Sequence, residues 1–269
     1  MLFTDWDNSG TPSLRVSNDR EYYMGGQEQM WHLEAGAAAR LYTLDDDGWK
    51  KLRIWGMGIA AADINQDGYQ DYYLTSMADQ KLQVLKDTTS GKPDFDDIAY
   101  KRGVTAHIPY TGSDQRPSTG WHSQFADVNN DGRVDLFVAK GYIAKMPDFA
   151  EKDPNNLLLA QSDGMFVEVG NKAGVASMNT GRGAQVLDLN LDGMLDIIVV
   201  NRWVLAEVWR QTRASSGNWV EVQLLQDRAN RDAIGSVIEV MRGDKVERHE
   251  IAAGGGWSCR VFVPLRVLV

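Results

Sequence analysis

One nine-residue pattern, Asp-x-Asn-x-Asp-Gly-x-x-Asp, occurs three times, at residues 63–71, 127–135 and 188–196. Oxygen-bearing side chains at positions 1, 3, 5 and 9 with glycine at 6 are what a tight oxygen cage for Ca²⁺ requires. Alternate residues point inward, glycine permits the positive φ of a sharp bend, the carbonyl at position 7 adds an oxygen, and the last Asp closes the cage. Hard oxygens without thiolate or imidazole favour Ca²⁺ over zinc or copper, and Mg²⁺ keeps several waters rather than filling an all-protein cage. An EF-hand would need a bidentate Glu at position 12 between two helices, where this chain has Leu74, Val138 and Val199. The expectation is therefore a calcium-bound β-hairpin, with a metal-free acidic turn as the alternative. Without metal each loop gathers three like charges; three Ca²⁺ ions would move the formal charge from −9 to −3. A worn fourth copy starts at Asp5 and Asp7 but ends on Ser13, and a metal-free turn is the expectation there.

Other residues carry weaker chemistry. Trp55, Trp121, Trp203 and Trp209 lie on or beside expected strands and are assigned to core or inter-blade packing rather than to sugar stacking. His122 could act as a base, yet no Ser, Cys or paired carboxylate recurs at a spacing that would complete a triad. Gly254 to Gly256 lack the Lys-Ser/Thr and helix of a phosphate cradle and read as a bend. Cys259 reads as a small buried hydrophobe. Asn230-Arg231-Asp232 is open between a ligand-binding turn and a hairpin cap.

The elements that position the acidic loops repeat with them. The loop starts lie 64 and 61 residues apart, and the worn copy precedes the first intact loop by 58. Seven residues ahead of each leading Asp stands Gly56, Gly120 or Gly181, followed by a strand-length segment. After each closing Asp come β-branched and aromatic runs such as Tyr-Tyr-Leu-Thr-Ser and Ile-Ile-Val-Val-Asn, hence strands. Further on, Phe95 to Val104 matches Phe166 to Val175 position for position, each after a short apolar run. A repeat of about 60 residues with four short strands has the size of one β-propeller blade. No segment sustains a helical apolar face. The expected fold is all-β: a propeller of about four blade-like repeats, residues 1–215, then a small β module, residues 216–269, containing a hairpin that turns near Gly243-Asp244.

Composition narrows the function. With 28 Lys+Arg against 37 Asp+Glu, a nucleic-acid backbone or an anionic membrane surface is a poor partner. No run approaches the roughly 18 apolar residues of a membrane span, and the N-terminal residues lack a signal peptide's basic and apolar regions. A single cysteine excludes an internal disulfide framework.

The three loops between short strands resemble the FG-GAP/VCBS repeats of integrin-α-type propellers. That resemblance implies Ca²⁺ held by Asp63, Asn65, Asp67, the Tyr69 carbonyl and Asp71; by Asp127, Asn129, Asp131, the Arg133 carbonyl and Asp135; and by Asp188, Asn190, Asp192, the Met194 carbonyl and Asp196. Asn230 to Gly235 and Gly254 to Ser258 resemble the ASPIC/UnbV module, so the whole is similar to the cartilage acidic protein family. The resemblance implies a secreted, extracellular or periplasmic protein, a calcium-stabilised binding or adhesion module for a protein or glycan. The alternative is an enzyme acting on carbohydrate or a natural product from the channel or blade face. Propellers of this kind have about seven blades, so both ends of the chain read as cut. The first blade is expected to lack its first strand. The apolar run at residues 261–269, or a second copy of the chain, is expected to pair with Leu2-Phe3-Thr4.

Overall fold

A computed structural model describes residues 1–18, 28–212, 217, 219–222, 224–227, 229–242, 245–251 and 261–263. The chain begins with β1 (Leu2–Thr4), β2 (Ser13–Val16), β3 (Gln29–His32) and β4 (Arg40–Leu41), paired antiparallel in that order, followed by the one-turn helix α1 (Leu44–Asp47). Blade 2 repeats the plan with β5 (Ile59–Ala62), β6 (Asp71–Leu74), β7 (Lys81–Leu85) and β8 (Phe95–Asp97), then α2 (Ala99–Arg102). Blade 3 follows with β9 (Gly120–Ala126), β10 (Asp135–Lys140), β11 (Asn156–Ala160) and β12 (Phe166–Glu168), then α3 (Gly170–Ala173). Blade 4 has three strands among the described residues, β13 (Gly181–Leu187), β14 (Asp196–Asn201) and β15 (Glu207–Trp209).

The sheets stack face to face because their middle strands are apolar on both sides. Leu2, Met30 and Tyr42 of blade 1 meet Tyr72, Leu74 and Phe95 of blade 2. Tyr73 and Leu82 of blade 2 meet Leu136, Val138 and Leu158 of blade 3, and Phe137, Ala139 and Leu157 of blade 3 meet Val186, Ile197 and Val199 of blade 4. Each large side chain so buried contributes about 1.5–3 kcal/mol. The Phe95 and Phe166 segments end alike, on Gly103 and Gly174 at φ of +76° and +78°, which cap α2 and α3 and turn Val104 and Val175 into the core.

The recurring glycine ahead of each inner strand is explained by its neighbour. A Cβ on Gly56 would overlap Ser17 Oγ, one on Gly120 would overlap Gln80 Oε1, and one on Gly181 would lie 2.7 Å from the Lys140 carbonyl oxygen. Gly56 N also donates to Asn18 O, and Gly120 N to Ser76 O. These glycines are the joints where one blade's second-to-third-strand connection touches the next blade's inner strand.

Beyond blade 4, β16 (Val220–Val222) pairs with β19 (Val261–Val263), and β17 (Val237–Arg242) forms a hairpin with β18 (Lys245–Glu250). Three expectations need correction. The first copy has its own first strand, β1, in a complete four-stranded sheet, because three residues ahead of Asp5 suffice for the Leu2↔Arg15 to Thr4↔Ser13 pairing. Of the tail, residues 261–263 pair with β16 rather than with Leu2-Phe3-Thr4, and residues 264–269 lie outside the described residues. Trp203 is 68% exposed and takes no part in the core, for no sheet among the described residues stacks beside blade 4 as one does on the equivalent region of blades 2 and 3. The other three tryptophans of that expectation are half-buried: Trp55 against Phe149, Trp209 against the blade 3–4 core, and Trp121 under the Arg182 guanidinium. Among the described residues the four sheets do not close into a ring.

Candidate functional site

Each acidic loop joins the first strand of a blade to its second, and all three intact loops fold identically. Asp63 accepts from Asp67 N at 3.0 Å and Gly68 N at 2.9 Å; Asp127 from Asp131 N at 3.0 Å and Gly132 N at 2.7 Å; Asp188 from Asp192 N at 3.2 Å and Gly193 N at 2.8 Å. The side chain at position 5 accepts from the amide at position 7, as Asp67 does from Tyr69, Asp131 from Arg133 and Asp192 from Met194. The closing carboxylates of Asp71, Asp135 and Asp196 reach back to the amides of Ile64, Val128 and Leu189. Asn65, Asn129 and Asn190 each donate to the Asp at position 5.

Glycine at position 6 takes φ of +87°, +83° and +82°, the left-handed bend that its spacing predicts. A second left-handed residue precedes it, at Gln66, Asn130 and Leu191, with φ of +60°, +53° and +60°. Sequence reading missed position 4, whose residue type varies. Its side chain links neighbouring loops: Asn8 donates to Gly68 O and Asn130 to Gly193 O, both at 3.0 Å. Gln66 donates instead to Glu247 of β18 at 2.6 Å. The worn loop keeps the same frame, Asp5 accepting from Ser9 N and Gly10 N, but has Ser13 where the closing carboxylate stands.

Burial sets the electrostatics. Asp71 and Asp135 are fully buried, and desolvation beside the other loop carboxylates pushes each carboxyl up to about 8. Desolvation raises Asp63 and Asp127 above the usual carboxylate range as well. Asp135 Oδ1 is satisfied by Ala160 N and Asp196 Oδ1 by Gln211 N, whereas the buried Asp71 Oδ1 has no hydrogen-bond partner. Among the described residues no three Asp, Glu, His or Cys side chains stand grouped as a metal site. The donor set nevertheless fits a hard cation, because buried carboxylates held by backbone amides and an orphaned carboxylate oxygen all want positive charge. Arg133 on Asp131 and Arg210 on Asp192, the latter at 3.4 Å, supply part of that charge from outside.

The C-terminal hairpin lies across these loops. Glu250 accepts from Thr4 Oγ1 and Asp5 N, both at 3.1 Å, and Arg248 donates to Gly68 O at 3.2 Å. Between β18 and the inner strands β5, β9 and β13 is a cavity of about 560 Å³, lined by Gln70, Gln124, Gln185, Arg248, His249 and Glu250 among others. Gln124 also clamps β13, accepting from Val186 N and donating to Val186 O.

A hydrogen-bonded Ser-Lys-Asp trio, unforeseen from spacing, lies at the other end of blade 3. Lys140 Nζ is 3.0 Å from Asp153 and donates to Ser118 Oγ, which donates to Asp153. All three are sealed from solvent, so the trio fastens the connection before β11 rather than meeting substrate. His122 is half-buried, its pKa lowered by desolvation, with Nε2 unpartnered. Asn230 caps its turn through Ile234 N and O. Gly254 to Gly256 and Cys259 lie outside the described residues.

Residues 127–199, the third blade's loop through the fourth blade's second strand, match the model of the FG-GAP-like repeat. Cartilage acidic protein 1 of Mus musculus is 27% identical over 210 residues, 77% of this chain, and its Homo sapiens counterpart 26% over the same length. The chain spans about 30% of the length of these relatives.

Proposed function

We propose, for a chain built on FG-GAP-like repeats and related to the cartilage acidic proteins, that it is a calcium-stabilised propeller segment binding a protein or glycan outside the cytoplasm. The metals are structural. Asp63, Asn65, Asp67, Tyr69 O and Asp71 would hold one ion. Asp127, Asn129, Asp131, Arg133 O and Asp135 would hold a second, and Asp188, Asn190, Asp192, Met194 O and Asp196 a third. The observation carrying this reading is the buried closing carboxylate, most of all Asp71 with its unpartnered oxygen. Each ion would clamp the first strand of a blade to the second. The worn loop at Asp5 and Asp7 would hold none.

An extracellular setting is supported by the cartilage relatives and by Ca²⁺ being plentiful there; no helix among the described residues is long and apolar enough to cross a membrane. Residues 216–269 would act as a separate module roofing the loops. Calcium that binds the native state alone adds about 2.7 kcal/mol per site at a hundredfold excess over Kd. Chelation with EGTA should therefore lower Tm; an unchanged melt after full demetallation sinks the calcium reading. Binding to a glycan array, compared with and without chelator, tests the ligand class. The second reading, an enzyme acting on carbohydrate or a natural product, rests on Glu247, His249 and Glu250 lining one cavity. Mass spectrometry showing no turnover of a carbohydrate panel would remove it.

A further inference from the structure

Position 8 of the acidic loops holds Gln70, Val134 and Leu195, and all three line the cavity of about 560 Å³ between β18 and the inner strands. Leu195 belongs to the blade 3–4 core and is 6% exposed, so this place in the fold accepts a buried aliphatic residue. Blade 2 puts a primary amide there instead. Gln70 is 8% exposed, and its side chain makes no hydrogen bond among the described residues. A buried amide without a partner costs free energy that a valine or leucine would not, so the packing of the fold gives no reason for this glutamine. Facing a cavity, the amide is hidden from bulk solvent but open to a guest small enough to enter.

The rest of the wall defines that guest. Its arginines and glutamates are engaged: Arg133 with Asp131 and the Ala160 carbonyl, Arg248 with Glu239 and the Gly68 carbonyl, Glu250 with Thr4 Oγ1 and Asp5 N, and Glu247 with Gln66. An anion would find both arginines already neutralised. Gln124 is taken up by the Val186 backbone, which leaves the amides of Gln70 and Gln185; Gln185 too makes no side-chain hydrogen bond among the described residues. Apolar surface lies between them, from the half-buried Phe125, edge-to-face with Tyr73, and from Val186 and Leu187 of β13.

We propose that this cavity binds a neutral saccharide of one or two rings, gripped by the Gln70 amide through a pair of adjacent hydroxyls. A primary amide offers a donor and an acceptor side by side, and neighbouring sugar hydroxyls offer the same pair reversed. The C–H faces of a sugar match Phe125 and the aliphatic wall, and the volume lies within the range of small-ligand sites. Residues 247–250 of β18 form one side, so the hairpin and the blades hold the guest together. This inference deepens the glycan half of the proposed function and rests on it.

Saturation-transfer NMR of the whole chain in calcium-containing buffer should give a signal from at least one of glucose, galactose, mannose, N-acetylglucosamine, lactose and cellobiose, and calorimetry its Kd. Gln70→Leu should weaken that binding about tenfold or more, melt no lower than the parent, and bind as much calcium, because position 8 supplies none of the proposed ligands. Ala62→Leu adds bulk to the cavity wall from a residue outside the three blade cores and should weaken binding likewise, so it replaces Gln70→Leu if that variant misfolds. Glucuronic acid and galactose 6-sulfate should bind no more tightly than glucose and galactose. The proposal is overturned if no neutral sugar binds, if a folded variant binds as the parent does, or if only the acidic sugars bind. A sugar held equally by parent and Gln70→Leu keeps the glycan reading and moves its site off this cavity. Silence across the panel from a chain whose Tm still falls in EGTA overturns this site and leaves the calcium reading standing.

Discussion

The Asp71 and Asp135 carboxyls titrate near 8 in the metal-free loops, against about 4 for an exposed aspartate. The folded state thus holds these protons more tightly than the unfolded chain. Their contribution to stability is complete below pH 4 and is lost as pH rises toward 8. Metal-free protein should melt lower at pH 8 than at pH 6, a loss that saturating Ca²⁺ abolishes by taking the protons' place. A metal-free Tm that climbs over that interval would contradict the assignment. Calcium binding should release protons, detectable as a buffer-dependent enthalpy in titration calorimetry. Asp63→Ala, Asp127→Ala and Asp188→Ala should each remove one Ca²⁺ equivalent, and Asp5→Ala none. Loss of an equivalent from Asp5→Ala alone would reverse the ranking of the loops. These carboxylates were legible in the sequence because a cage fixes residue type at fixed spacing. The position 4 bend was not, since Gln66, Asn130 and Leu191 share a backbone angle and no side-chain chemistry.

At the scale of elements, the blade joints set the tolerance of the fold. Gly120→Ala would force a methyl into the Gln80 amide that caps Ser76 N, and overpacking of this kind costs about 1–3 kcal/mol. Gly183→Ala, with nothing within 4 Å of the new carbon, should be neutral or slightly stabilising. Equal urea midpoints for the two variants would show that the joints are not close-packed. Asp153→Ala leaves the Lys140 ammonium buried and unpaired and should cost about 3–5 kcal/mol. A change within the error of chemical denaturation would mean that water reaches the lysine. The period of about 60 residues exposed the blades, joints included, because each junction repeats the one before it. The placement of β18 over the loops escaped notice: its contacts with Gln66 and Gly68 cross about 180 residues and occur once.

Among the described residues, the β17–β18 hairpin brings positions far apart in the chain into contact. Loss of residues 261–263 should speed amide exchange in β16 and leave Leu2 to Thr4 protected, since the pairing runs Val220↔Val263 to Val222↔Val261. Rapid exchange at Phe3 in such a variant would restore the tail to blade 1. The clasp of Glu250 on Thr4 Oγ1 and Asp5 N bridges up to 246 residues of chain. Synthesis at about 5–20 residues per second leaves the ribosome tens of seconds between the two partners. Blades can settle one after another during that interval, each on the one already made. Thr4 and Asp5 must wait for Glu250, made some 245 residues later, before their own contacts are complete, so they are a part of the chain that a nascent-chain chaperone has long to hold.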